Sequence, residues 1–143
     1  MTLAPCLRAI SCALLAATPL AAQDTDLANR LLIELNAAQP QDDGCKLSFL
    51  VQNGHATDIG KAVFETVLFD ASGQVDRLTL FDFGALPAGR PRVRQFVIPG
   101  TACDGISQIL FNGASTCEAG DLGPAACTGD LLLDSRTDTE VTG

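Results

Sequence analysis

The chain has 143 residues, with 17 aspartates and glutamates against 9 lysines and arginines, so its formal net charge is −8 at pH 7. Nucleic acids and anionic membranes select basic surfaces, and this charge argues against either as the main partner. The chain is long enough, and at 47% hydrophobic residues apolar enough, to build one domain with a hydrophobic core.

Residues 1–22 have the pattern of a secretory signal peptide. Arg8 and the amino terminus supply positive charge, the apolar run 9–17 is too short to cross a bilayer as a stable helix, and small residues end the segment at Ala22. We predict cleavage after Ala22, rather than an uncleaved membrane anchor, a lipoprotein or a twin-arginine signal. The mature domain, residues 23–143, is then expected in the bacterial periplasm or secreted, by the general secretory route and without stable membrane insertion.

Four cysteines remain after this cleavage. An even number in an exported domain predicts two disulfides. Cys117 and Cys127 flank a turn-rich loop, so we pair them with each other, which leaves Cys45 to pair with Cys103. A zinc site is the alternative, but no two of these cysteines have the close spacing of zinc ligands and His55 is the only histidine.

The first mature segments read as strands. Residues 27–38 suit either a short helix or a strand, and the strand-rich sequence that follows favours a strand. Residues 45–51 give the clearest pattern, because Leu47, Phe49 and Val51 alternate with more polar neighbours, as in a half-buried strand.

Five further strands are predicted, separated by glycine, proline, asparagine or aspartate turns. They cover residues 62–70, 74–83, 92–98, 106–112 and 130–135, the last extending toward Val141. About seven short strands predict an all-β fold, an antiparallel immunoglobulin-like β-sandwich, in a single domain. A small closed barrel is the alternative architecture.

Part of this pattern resembles known families. The motif runs from Val51-Gln-Asn53, through the strand 64–70 that ends in Asp70 and the glycine of its turn, to Leu86-Pro-Ala-Gly89 and the apolar strand 96–98. It resembles the FxLyD and CARDB-type immunoglobulin-like domains of bacterial envelopes. The chain also resembles uncharacterised secreted proteins of alphaproteobacteria that carry this cysteine pattern. The resemblance implies an immunoglobulin-like fold and a binding or accessory role, and no catalytic residues. The four cysteines depart from the pattern of the FxLyD and CARDB-type domains.

Catalytic and metal-binding motifs are not found in the sequence. His55 follows a glycine and is expected to be a solvated loop residue, while no nucleophile elbow, Walker loop or dinucleotide fingerprint occurs. Residues 70–76 begin and end with aspartate and could form a calcium loop, but a hairpin turn explains the same residues and the pattern is not an EF-hand. We therefore predict no enzymatic activity, no cofactor and no metal.

The most unusual local feature is a row of three arginines, Arg90, Arg92 and Arg94. On one face of a strand they would form an anion or partner site, since guanidinium groups bind carboxylates and phosphates. The alternative, which we favour, is structural ion pairing with acids of neighbouring strands. The candidate acids are Asp76, Asp82 and Glu65.

The arginine row raises a question of register. Phe96 and Ile98 share its parity, so either a bulge lies near Gln95 or the same face changes from wet to dry along the strand. Pro91 suggests a strand start or an edge position, which leaves peptide addition to an exposed edge open.

These observations favour a non-catalytic periplasmic or secreted module that binds an unknown protein or an envelope component. A small-ligand or polysaccharide-binding protein is the alternative, although the chain has no Trp or Tyr to stack on sugars. A hydrolase built on carboxylates is the less favoured third hypothesis.

Overall fold

The computed structural model describes residues 27–143, and the predicted signal peptide lies outside the described residues. Eight strands in this part of the chain form two four-stranded sheets. The strands are β1 (Leu31–Gln41), β2 (Gly44–Asn53), β3 (Ile59–Phe69), β4 (Val75–Leu86), β5 (Arg92–Ile98), β6 (Gln108–Glu118), β7 (Leu132–Ser135) and β8 (Glu140–Thr142). Two 3₁₀ turns (Cys103–Gly105 and Gly120–Leu122) and a short helix α1 (Ala125–Thr128) lie in the connections.

Each sheet combines strands from the first and the second half of the described chain. Sheet 1 has the order β5-β2-β1-β7, and sheet 2 has the order β4-β3-β6-β8. β1 and β2 form a hairpin in sheet 1, and β3 and β4 form one in sheet 2. After β4 the chain alternates between the sheets, so that strands distant in sequence become neighbours.

The predicted fold class is confirmed: the described chain is an all-β sandwich of two sheets, and residues 27–38 contribute to a strand. The last predicted strand is divided into β7 and β8, one in each sheet, which raises the number to eight. The pairs β1–β7 and β6–β8 are parallel, unlike the antiparallel pairing that we expected. Parallel neighbours need a long crossover. For β6 and β8 this crossover is the segment 119–139, which passes through β7 in the other sheet.

The β1–β2 hairpin shows how local sequence sets the register. The sequence suggested a turn over 39–44, but pairing continues to Gln41 opposite Gly44 and leaves only Asp42 and Asp43 in the turn. Asp42 has φ 50°, a left-handed conformation that aspartate tolerates better than most residues. A side chain at Gly44 would put its Cβ 2.3 Å from the carbonyl oxygen of Ile98, so a glycine is required there.

Phenylalanine rings join the two sheets. Phe49, on the predicted inner face of β2, is fully buried, and its ring centroid lies 5.5–6.1 Å from four other rings. Those rings belong to Phe81, Phe83, Phe96 and Phe111, and Phe64 completes the cluster. Aromatic pairs at such distances add to the free energy of burial. The cluster therefore fixes the spacing of the sheets.

Two disulfides hold the connections, in the same pairing that the loop argument predicted. Cys45 of β2 is bonded to Cys103 in the first 3₁₀ turn, and Cys117 of β6 is bonded to Cys127 in α1. Each is expected to contribute on the order of 2–4 kcal/mol. Structural disulfides indicate an oxidising, extracytoplasmic compartment. In the described chain, no helix is long and apolar enough to cross a membrane.

Replacing Phe49 with alanine should lower the free energy of unfolding by about 3–5 kcal/mol, because the cavity would open between the sheets. Phe69→Ala is the matched control, since Phe69 is only half-buried and has no ring contact with the cluster in the described chain. Urea denaturation with intact disulfides measures both losses. Equal losses would show that Phe49 contributes no more to the free energy of unfolding than a phenylalanine outside the ring cluster does.

Candidate functional site

The side of the sandwich at which β4 and β5 meet is open. In the described chain β4 pairs only with β3, and β5 pairs only with β2. An edge strand has unpaired N–H and C=O groups along its free side, and such a row can pair with another chain. The free side of β4 is called the β4 edge below.

Arg94 occupies the carboxyl-terminal part of the β4 edge. Its Nε donates to the carbonyl oxygen of Phe83 at 2.7 Å and its Nη2 to that of Ala85 at 3.1 Å. Its Nη1 donates to the carbonyl oxygen of Val93 at 3.1 Å. The guanidinium group thus binds β4 carbonyls across the gap between the sheets, and it blocks that part of the edge.

The rest of the gap between β4 and β5 is filled by two other contacts. Arg77 donates from Nη1 to the carbonyl oxygen of Pro99 at 3.0 Å and from Nη2 to Oγ1 of Thr101 at 2.7 Å. Between the two arginines, the rings of Phe81 and Phe96 are stacked, with centroids 4.4 Å apart. Side chains rather than backbone pairing therefore hold the two edge strands together.

The register of β5 answers the question about the arginine row. Pairing with β2 is continuous from Arg92 to Ile98, with no bulge. Arg92 and Arg94 therefore share a face with Phe96 and Ile98, and that face changes from core to rim along the strand. Arg90 precedes the strand and is exposed.

The ion pairs that we expected for these arginines are not formed. Asp76 pairs with Arg77 at 2.6 Å, and Asp82 pairs with Lys61 at 3.7 Å. None of the ion pairs in residues 27–143 involves an arginine of the row. The physical reason is that the free carbonyls of β4 lie closer to Arg94 than any carboxylate does.

The middle of β4 exposes leucines. Leu78 is 71% and Leu80 58% exposed, and both point outward from sheet 2. Bulges interrupt the β3–β4 register at both ends, so that Arg77 to Asp82 is the regular stretch. A shallow depression of about 280 Å³ lies here, lined by Leu78, Leu80, Thr79 and Glu65.

These leucines were not among the residues predicted to form a site. A signal was present, because Leu78 and Leu80 make one face of the predicted strand apolar while Phe81 and Phe83 do the same for the other face. The face with Phe81 and Phe83 is buried, whereas the face with Leu78 and Leu80 is exposed in the described chain.

His55 lies in a loop, as predicted, but it is half-buried rather than solvated. Its Nε2 is 3.0 Å from the carbonyl oxygen of Ala126, and its backbone N–H donates to Oδ1 of Asn53. Asn53 is fully buried and donates to the carbonyl oxygens of Thr57 and Leu86. The histidine and the asparagine thus fasten the β2–β3 loop to its surroundings.

Asp70 organises the β3–β4 turn. Its Oδ1 accepts hydrogen bonds from the Ser72 hydroxyl, from the Ser72 backbone N–H at 2.8 Å and from the Gln74 backbone N–H at 3.0 Å. The hydrogen bond from the Ser72 side chain, followed by that from Gln74, lowers the pKa of Asp70. Gly73 has φ 81°, which favours glycine. These are the contacts of a hairpin turn.

The end of the sandwich near Cys103 has the larger clefts. One of about 590 Å³ is lined by Cys103, Asp104, Ser107, Arg136 and Asp138 among others. A second cleft of the same size is lined by Asp42, Asp43 and Cys103 among others. The residues described form no group of three or more acids, histidines or cysteines that could hold a metal ion.

Arg136 forms an ion pair with a buried acid, Glu34. Its Nε donates to Oε1 of Glu34 at 2.8 Å, and Asn36 donates to the same oxygen at 3.0 Å. Burial raises the pKa of Glu34, but the hydrogen bonds from Asn36 and Arg136 and the charge of Arg136 outweigh it, so the pKa lies below its usual value. The pair fastens the segment after β7 to β1.

Comparisons with family models, with curated proteins and with solved structures find no match.

Glu34→Gln should lower the free energy of unfolding by about 1 kcal/mol near neutral pH, since a charge-assisted hydrogen bond is lost and Arg136 is largely solvent-screened. A carboxyl group whose pKa is lower in the folded state than in the unfolded state stabilises the fold at pH values above its unfolded-state pKa. This stabilisation is lost as the pH falls through the folded-state pKa. The difference between Glu34→Gln and wild type, measured by urea denaturation, should therefore shrink as the pH falls through the lowered pKa of Glu34. The exposed Glu65→Gln is the control, and a pH-independent difference at Glu34 would contradict the argument.

Arg94→Ala should cost about 1–2 kcal/mol of stability, because two β4 carbonyls lose a charged donor. Arg90→Ala, which removes an exposed arginine, should change stability by less than about 0.5 kcal/mol. Both values come from urea denaturation. If the two variants lose equal stability, Arg94 does not hold the edge.

Proposed function

We propose that the chain is an exported, non-catalytic immunoglobulin-like module that binds a protein partner, and that the partner adds an extended segment to the β4 edge. One observation carries this proposal. Leu78 and Leu80 are exposed side by side on a strand whose free edge has no partner strand in the described chain.

The strand order supports the immunoglobulin-like assignment. In that fold, strands A, B and E share one sheet, strands C and F share the other, and variable-type domains add C′ beside C. β1, β2 and β5 take the places of A, B and E, while β3, β6 and β4 take those of C, F and C′. The parallel strands β7 and β8 are additions to this pattern.

The dimensions of the β4 edge support strand addition. The regular stretch Arg77 to Asp82 matches the usual length of a strand, about 5–6 residues. In β-strand addition, main-chain hydrogen bonds supply affinity, and alternate side chains supply specificity. Here Leu78 and Leu80 are the alternate side chains that a partner would cover.

Export fits this role. The two disulfides indicate an oxidising compartment. Together with the predicted signal peptide, they support the bacterial periplasm or the extracellular medium as the place where the partner is met. A resemblance to envelope domains supports the same location.

Selection from a displayed library of peptides about ten residues long tests the proposal. Selected peptides should slow amide hydrogen exchange at residues 77–82, because new hydrogen bonds form at the β4 edge. The double variant Leu78→Lys/Leu80→Lys should bind them at least about tenfold more weakly, since it removes apolar contacts at the centre of the interface.

The matched control is Val93→Lys/Val97→Lys, which changes two exposed apolar residues of β5 and adds the same charge. It should retain binding, as measured by titration calorimetry. If no peptide is selected, or if protection appears away from β4, the proposed function is wrong.

A further inference from the structure

Three of the basic residues without an ion pair in residues 27–143 lie in β5 or just before it, and one of them, Arg94, contacts the β4 edge. In residues 27–143, Arg30, Lys61, Arg77 and Arg136 each pair with an acid. The unpaired ones are Lys46 and the arginine row, Arg90, Arg92 and Arg94. In a chain with 17 acids and 9 basic residues, three neighbouring arginines without a carboxylate partner are unexpected.

The three arginines differ in what they have left to donate. Arg94 uses Nε, Nη1 and Nη2 on backbone carbonyls. Arg92 is half-exposed, and within residues 27–143 it donates only from Nη1, to the carbonyl oxygen of Pro91 at 3.0 Å. Arg90 is exposed. Arg90 and Arg92 therefore retain free guanidinium donors at the rim.

Arg94 also determines where an added segment must end. It occupies the carbonyl oxygens of Phe83 and Ala85, so a new strand can pair with β4 only up to Asp82. The residue that follows the paired part of the segment then lies next to Arg94 and its neighbour Arg92. At this point the partner meets unneutralised positive charge.

We infer that the partner segment carries an aspartate or glutamate side chain directly beside its apolar stretch, and that this carboxylate binds Arg92 with support from Arg90. This inference rests on the proposed function. Carboxylates accept paired hydrogen bonds from guanidinium groups, so the recognition is directional as well as electrostatic. The apolar residues cover Leu78 and Leu80, and the acid fixes the register.

A second copy of this chain fits the edge poorly. Antiparallel pairing of two β4 strands that keeps Leu78 opposite Leu80 brings Asp82 of each copy next to Asp76 of the other. Like charges opposite each other destabilise a pair of strands. We therefore take the partner to be a different protein, and a second copy of this chain is an outcome that the test distinguishes.

Two parallel selections from the peptide library test the inference, one on the wild-type protein and one on Arg92→Glu. Wild type should enrich Asp or Glu next to the apolar stretch, and Arg92→Glu should enrich Lys or Arg there. Lys46→Glu, which makes the same change in net charge away from the β4 edge, should keep the preference for acids.

Calorimetry on one selected peptide completes the test. Its analogue with the acid changed to the amide should bind wild type about threefold more weakly and Arg92→Glu no more weakly than the parent peptide does.

The outcomes separate the two proposals. Selected peptides that need Leu78 and Leu80 but show no acidic preference would overturn this inference and leave the proposed function standing. A library that yields no peptide for the β4 edge would remove both. Sedimentation that shows a dimer dissociated by Leu80→Lys would identify a second copy as the occupant and overturn the inference.

Discussion

The packing of Phe49 against rings of both sheets is the contact on which the rest of the structure depends. Its neighbours include Phe96 on β5 and Phe81 and Phe83 on β4, so one side chain sets the distance between the two edge strands. A chain without tryptophan builds its inter-sheet contact from these smaller rings. Because β4 and β5 are held by their rings, they need no shared hydrogen-bond ladder, and their edges stay open.

Open edges are a hazard in β proteins, and natural sheets blunt them with charges and bulges. The β4 edge has both kinds of protection, since Arg94 binds the carbonyls of Phe83 and Ala85, and a bulge lies at each end of the regular stretch. Between these limits, however, Leu78 and Leu80 remain exposed. Protection at the ends and exposure in the middle favour a bounded binding surface over an unprotected edge.

Alternation in the sequence predicted which residues face the core: Leu47, Phe49 and Val51 are buried as expected. The turn-rich loop between Cys117 and Cys127 also pointed to the disulfide pairing that the structure has. Period two, however, identifies the faces of a strand and not its neighbours. The parallel pairing of β7 and β8, the edge position of β4 and the carbonyl partners of Arg94 all depend on which strands lie side by side, so local pattern could not predict them.

The arginine row shows why composition alone was misleading about this surface. In an acidic chain, pairing each arginine with a nearby acid is the obvious expectation, yet Asp76 and Asp82 are already paired with Arg77 and Lys61. The arginine row has no ion pair in the described chain, and its member Arg94 binds the β4 carbonyls at the point where the free part of the β4 edge ends. The partner segment that we propose combines apolar groups, which cover the exposed leucines, with an acidic group for the guanidinium groups that have no carboxylate partner in the described chain. In the register that places Leu78 of one copy opposite Leu80 of another, Asp76 and Asp82 would lie opposite each other, and for this reason we propose a different protein rather than a second copy as the partner.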